Sequence, residues 1–198
     1  MTTFSPTVSH AVVVDRVVPR SLATDAVFVV GGAAITALLA QIAIPFWPVP
    51  LTMQTLGVLL VGASLGPLRG SLSMVLYGVV GMLGVPVFSG ATGGPGVVFG
   101  ATGGYIVGFI AAAATIGYLA RRTWDRGWLT APIAFLTGSV VIYAFGLPWL
   151  SLALGGLDLQ TTLAYGLVPF VVGDIVKAVF AGLLLPFAWR LVGRRADA

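Results

Sequence analysis

Asp174 and Lys177 are the residues with the most chemistry to offer. They stand in Gly173-Asp-Ile-Val-Lys177, inside an apolar stretch from about Leu167 to Leu191. Residues three apart project from one face of a helix. There a carboxylate and an ammonium can accept and donate charge-assisted hydrogen bonds to a polar solute. The plainer alternative is a structural ion pair, but such a pair can often be replaced by apolar packing without loss. No catalytic set completes around the two. The chain has no Cys and no Glu, and its one histidine, His10, lies in a polar N-terminal stretch. With no second buried carboxylate, an intramembrane enzyme is disfavoured, and no catalytic residue or metal ligand is expected.

The surroundings of the pair explain why it is unusual. Charged residues are 8% of the chain and hydrophobic ones 58%, with a mean hydropathy of +1.05. Soluble domains carry about 25% charged residues. Lipid must therefore be the solvent for most of this chain, and a charge near mid-membrane costs several kcal/mol unless compensated.

Prolines, glycines and arginines divide the chain into six apolar segments. The run from Ala26 to Leu68 is uncharged and too long for one span of about 20 residues. Pro45, Pro48 and Pro50 break it. The expected spans are about Asp25–Ile44, Thr52–Leu65, Ser71–Gly84, Gly103–Ala120, Ala131–Leu147 and Leu167–Leu191. Gly66-Pro-Leu-Arg-Gly70 reads as a tight turn. Residues 85–102 form a glycine-rich loop, and 148–162 an outer segment. The domain reading is a loosely ordered tail over 1–20, a six-helix membrane domain over 21–192, and a basic tail over 193–198. No secretory signal pattern opens the chain.

The arginines test this count. Arg16, Arg20, Arg69, Arg121, Arg122, Arg126, Arg190, Arg194 and Arg195 all fall on one side of a six-span arrangement. By the positive-inside rule that side is cytoplasmic, and both termini lie there. The basic balance is thus explained by topology, and no nucleic-acid partner is needed. The reading is an all-α, multi-pass integral membrane protein. Asp174 then lies in the outer half, below two uncharged outer segments, 45–53 and 88–96. These could form a mobile apolar lid or ordinary connectors. Gly100, Gly104 and Gly108 recur at the spacing that lets helices approach closely in lipid. Ala33 and Ala37 form a similar face, which could pack internally or against a partner protein. Neither a dinucleotide nor a P-loop phosphate motif is present.

Five segments in order resemble one family. Pro48-Val-Pro-Leu-Thr-Met-Gln-Thr-Leu-Gly57, Leu65-Gly-Pro-Leu-Arg-Gly70, Gly84-Val-Pro-Val-Phe-Ser89, Thr102-Gly-Gly-Tyr105 and Gly173-Asp-Ile-Val-Lys177 are similar to the biotin transporter family BioY. Its members are the substrate-binding S components of energy-coupling factor (ECF) transporters. The resemblance runs from about residue 30 to 190. It implies the six-helix ECF S-component fold in a prokaryotic plasma membrane, with biotin as transported ligand and no cofactor. It also implies ligand contacts from Asp174 and Lys177, a lid at 45–53, and a second closing loop at about 88–103. In that loop family members often present a polar side chain, and Ser89-Gly-Ala-Thr92 offers only hydroxyls. Ala33 and Ala37 resemble the face that docks the coupling subunit, which joins two ATPase subunits. Trp47, Gln54, Phe88, Ser89 and Tyr105 complete the expected ligand-binding set, with Phe46 as a further apolar wall. Whether Lys177 meets the ureido oxygen or the carboxylate of biotin stays open. An S component for another vitamin, or an assembly subunit with no ligand, are the alternatives.

Overall fold

The computed structural model describes residues 11–196, with side chains through Val192. His10 and the rest of the first ten residues lie outside the described residues. The main helices are α1 (Leu22–Ala40), α2 (Gln54–Leu65), α3 (Pro67–Met82), α5 (Gly103–Arg121), α6 (Thr130–Ala153) and α8 (Val168–Ala196). They fall on the six apolar segments of the sequence. A short antiparallel hairpin, β1 (Ala43–Ile44) with β2 (Leu51–Thr52), joins α1 to α2. A single turn, α4 (Pro95–Val98), and a short helix, α7 (Leu159–Gly166), lie in the remaining connections.

Among the described residues, α1, α5, α6 and α8 are long and apolar enough to cross a membrane. The other two are shorter, α2 with 12 residues and α3 with 16. At about 1.5 Å per residue, α2 rises only ~18 Å. It can be short because it is enclosed: Val58 and Leu59 are fully buried, and helices α1, α3 and α5 pack around it.

Close helix crossings rest on small residues. A side-chain carbon on Gly62 of α2 would meet the Ala113 carbonyl oxygen of α5 at 2.6 Å. One on Gly108 would meet the Ile142 carbonyl oxygen of α6 at 2.9 Å, and Gly104 abuts Trp149 of the same helix. Gly100, the third member of that spacing, lies before α5 and packs on Gly96 instead. Between α2 and α3 the chain reverses at Gly66, whose φ of +86° suits glycine. Helix α3 starts at once with Pro67, so Arg69 lies in its first turn rather than in an open turn.

Three boundaries differ from the sequence reading. Helix α1 stops at Ala40, short of Ile44, because residues 43–52 pair as the hairpin. Helix α6 runs through Pro148 to Ala153. Its last turns are held by packing: Trp149 Nε1 donates to the Gly100 carbonyl at 2.9 Å, and Leu150 is fully buried. The expected outer segment is largely helical, since Asp158 caps α7 by accepting from the Thr161 N–H at 2.9 Å.

The described part of the N-terminal segment is packed rather than loose. Val12 is 1% exposed beneath the α2–α3 turn. Asp15 accepts from Arg20 Nη2 at 2.6 Å and from Arg69 Nη1 at 2.9 Å, while Arg69 Nη2 reaches Asp25 at 2.5 Å. Burial pushes the Asp15 carboxyl up, but the bonds from Arg20 and Arg69 outweigh this and hold it below the usual range. Nearby, Arg126 donates to the Ala11 carbonyl and stacks 3.9 Å from the centre of the Trp189 ring. Trp189 in turn donates to Asp125 at 2.5 Å. One end of the bundle thus gathers the described arginines and binds the N-terminal segment to α3, the α5–α6 loop and α8.

Arg69 is a hub of this end. Arg69→Met leaves Asp15 without its buried partner, which costs about 3 kcal/mol where a buried pair is broken. A fall in the thermal midpoint of the purified protein, with no such fall for Arg16→Met, is expected.

Asp125 gives a pH signature. Its carboxyl is 2% exposed. Burial raises its pKa from 3.8 to about 6, only partly offset by the bond from Trp189. The folded state therefore holds this proton more tightly than the unfolded state. Asp125's contribution is most favourable below 3.8 and declines as pH rises to about 6. Asp125→Asn should unfold at a higher temperature than wild type at pH 8, with the gap closing toward pH 4. A gap independent of pH would contradict this.

Candidate functional site

At the other end of the bundle lies a cavity of about 190 Å³. Helix periodicity builds its walls. Thr102, Tyr105, Ile106 and Phe109 form one stripe at the start of α5, and Phe170, Asp174 and Lys177 form one stripe on α8. Ile142 and Tyr143 of α6 face them. The roof comes from Val49 and Pro50 of the hairpin and from the 88–92 segment. Thr52, Gln54 and Thr55, where α2 begins, close one side.

Asp174 and Lys177 are each 4% exposed, and every charged atom is engaged. Lys177 Nζ donates to Thr55 Oγ1 at 2.7 Å and lies 3.4 Å from Asp174 Oδ1. Tyr143 Oη donates to Asp174 Oδ2 at 2.5 Å. The longer distance within the ion pair leaves room for a ligand group to share both partners. The two charges cancel, so the cavity presents a strong local dipole but no net charge.

The other polar groups are mostly committed to the protein. Gln54 donates to Tyr77 Oη at 2.5 Å and accepts from Thr52 Oγ1 at 2.8 Å. Tyr77 Oη in turn donates to the Val87 carbonyl at 3.2 Å. Tyr105 Oη donates to the Gly166 carbonyl at 2.9 Å, which turns its ring toward the cavity. Thr92 bonds the Ser89 carbonyl, and Thr102 bonds that of Val97. Phe88 is 2% exposed, wedged on Gly81 and edge-on to Tyr77 at 5.3 Å.

Asp174, Lys177, Gln54, Phe88, Ser89 and Tyr105, singled out from the sequence, are therefore brought together around one cavity. Trp47 is not: it is 74% exposed and packs edge-on against Tyr165 of α7, 5.7 Å away. Phe46 is also exposed and outside the lining. The hairpin turn aims both rings away from the cavity. Ala33 is buried in the core and Ala37 is half-buried against it. This small-residue face of α1 packs inward here, because Gly32 beside it sits directly on Ser73 of α3. Ala37 keeps part of its surface exposed, beside the exposed Ala34 and Leu38.

Tyr143 and Thr55 were missed by the sequence reading. Tyr143 carries a hydroxyl in the apolar run Val140-Val-Ile-Tyr-Ala-Phe145, a signal of the same kind as Tyr105. Gly62-Ala-Ser-Leu-Gly66 matches the letters of a hydrolase nucleophile elbow, but that motif needs a strand-to-helix turn. Here it ends helix α2. Among the described residues no group of three or more His, Cys, Asp or Glu could hold a metal ion.

Comparisons with known proteins agree with this architecture. The BioY family model matches residues 9–194. A probable biotin transporter BioY of Pyrococcus horikoshii is 40% identical over 154 residues, covering 76% of this chain and 87% of the relative. Biotin transporter BioY of Rhizobium etli is 38% identical over 155 residues, covering 74% and 81%. The crystal structure of the S-component for biotin from an ECF-type ABC transporter superposes with a TM-score of 0.74 at 27% identity, covering 85% of this chain and 92% of that one. With nearly its whole length matched by the family model and most of each relative covered, this chain belongs to the BioY family.

Proposed function

We infer that this chain takes up biotin by capturing it in the cavity beneath the hairpin and the 88–92 segment. The observation that carries the reading is the neutralised Asp174–Lys177 pair, bonded to Tyr143 and Thr55 inside apolar walls. Biotin has a compact polar ureido ring, an apolar thiolane ring and a valeryl chain. Ureido N–H groups suit Asp174, and a ureido oxygen suits Lys177. A carboxylate brought to Lys177 would also approach Asp174, 3.4 Å away, and be repelled. The ureido ring therefore goes to the pair and the tail points toward Ser89 and Thr92. Phe109, Phe170 and the Tyr105 ring supply apolar contact.

The six main helices are read as six spans, with the arginine-rich end and both termini cytoplasmic. Its gathered arginines support this, as does the placement of the cavity. Fifteen residues of α8 separate Asp174 from Trp189, about 22 Å of rise, so site and arginines lie at opposite ends. The protein is a multi-pass component of the prokaryotic plasma membrane and captures ligand from outside. The solved biotin S-component comes from an ECF-type ABC transporter, which supports reading this chain as working with an ECF coupling subunit and two ATPase subunits. ATP hydrolysis belongs to those partners.

Titration of purified protein with labelled biotin tests the site. Lys177→Ala should bind about 100-fold more weakly, the scale for truncating one buried charge partner. Tyr143→Phe should lose roughly tenfold, one charge-assisted bond. Equal binding by wild type and Lys177→Ala would sink the assignment, and stronger competition by riboflavin or thiamine would point to another vitamin. The orientation has its own check. Biotin amide, whose tail is neutral, should compete within about threefold of biotin, because no net charge awaits the tail. A loss on the order of 100-fold would place the carboxylate on Lys177.

A further inference from the structure

The two roof segments are far apart in sequence, yet one side chain joins them. Gln41 follows the last turn of α1 and lies two residues before the hairpin strand that begins at Ala43. Its Nε2 donates to the Phe88 carbonyl at 3.1 Å, and the Val87 carbonyl lies 3.4 Å away. Its Oε1 accepts from the Ala91 N–H at 2.9 Å. The amide thus reads both a carbonyl and an N–H of the 87–92 segment, as a neighbouring strand would. On the other side, Ile42 accepts from the Met53 N–H at 3.0 Å, and Ala43 pairs with Thr52. Gln41 is therefore the junction between the hairpin and the glycine-rich segment.

The base of that segment has separate anchors on α3. Tyr77 bonds the Val87 carbonyl, and the Gly94 N–H donates to the Gly81 carbonyl at 2.7 Å. Between these anchors, Gly90 and Ala91 adopt positive φ values of +69° and +53°. Phe88 is also seated on Gly81 and Tyr77 of α3, and beyond it the tip carrying Ser89 to Thr92 is bonded to Gln41 through the Ala91 N–H. Gln41 does not line the cavity.

We propose that Gln41 is a positioning residue that latches the hairpin and the 88–92 segment into a single lid, so that both roof pieces open together. The proposal rests on the cavity's being the biotin site. It makes a kinetic statement that simple damage to the site would not reproduce. If one latch holds the lid shut with and without ligand, removing it raises the open fraction in both states. Entry and exit then accelerate together.

The test is stopped-flow binding and release of labelled biotin by purified wild type and Gln41→Met, which keeps length and removes the bonds. Association and dissociation rates should both rise about tenfold, leaving the affinity nearly unchanged. Gln41→Glu, which keeps the acceptor for Ala91, should fall between. Rates within twofold of wild type, or faster release with slower association, would overturn the latch. Hydrogen exchange on the wild-type chain reads the same coupling without a variant. Residues 42–53 and 87–92 should open with one free energy and gain protection together when biotin is added. Two independent opening free energies would overturn it. Wild type that fails to bind biotin at all would instead overturn the functional reading, and the exchange of the ligand-free protein would still decide the latch.

Discussion

Two opposite charges inside an apolar bundle set the terms for everything around them. Neither Asp174 nor Lys177 could be left alone there, since an unpaired charge in such surroundings costs several kcal/mol. Each is answered twice, once by the other and once by a hydroxyl, from Thr55 or Tyr143. Those hydroxyls lie on α2 and α6, so the pair draws polar groups from three helices to the cavity. The arrangement is also unfinished as pure structure. The pair stays long, and the space above it is enclosed by rings and loop backbone instead of being filled by side chains. A ligand whose head is polar but uncharged completes it at the least electrostatic cost.

The opposite end of the molecule solves a different problem with the same chemistry. Arginines there face Asp15, Asp25, Asp125, Trp128 and Trp189, and tie the N-terminal segment to the bundle. Helix α8 contributes to both ends, with Asp174 and Lys177 near one and Trp189 and Arg190 near the other. It acts as the rigid post of the site, while the roof is built from short irregular pieces. Firm walls beneath a roof of hairpin and glycine-rich segment are what capture followed by release requires.

Much of this could be read from the residues, because lipid makes the grammar strict. A charge deficit, proline breaks and arginine positions located the six apolar segments. The i, i+3 spacing placed Asp174 and Lys177 on one face. What was not legible came from tertiary contacts that overrule local signals. Pro148 signals an end, but Trp149 and Leu150 pack well enough to carry α6 past it. Trp47 looks like a pocket wall, but the hairpin turn sends it to Tyr165 on the short helix α7. Ala33 and Ala37 form a small face of which Ala33 is buried in the bundle and Ala37 stays partly exposed, a division that sequence spacing alone does not give. Tyr143 was overlooked because one hydroxyl among many apolar residues gains meaning only when Asp174 is seen opposite it.

The central claim is that the buried pair is retained for a ligand and not for the fold. The most direct measurement compares wild type with the doubly neutralised Asp174→Asn/Lys177→Met protein, reading the thermal midpoint without ligand and the biotin dissociation constant side by side. Replacing both members of a buried pair is often neutral or stabilising. The account predicts a midpoint at or above that of wild type together with a loss of affinity on the order of 100-fold or more. Retained affinity, or a protein that no longer folds, would contradict it.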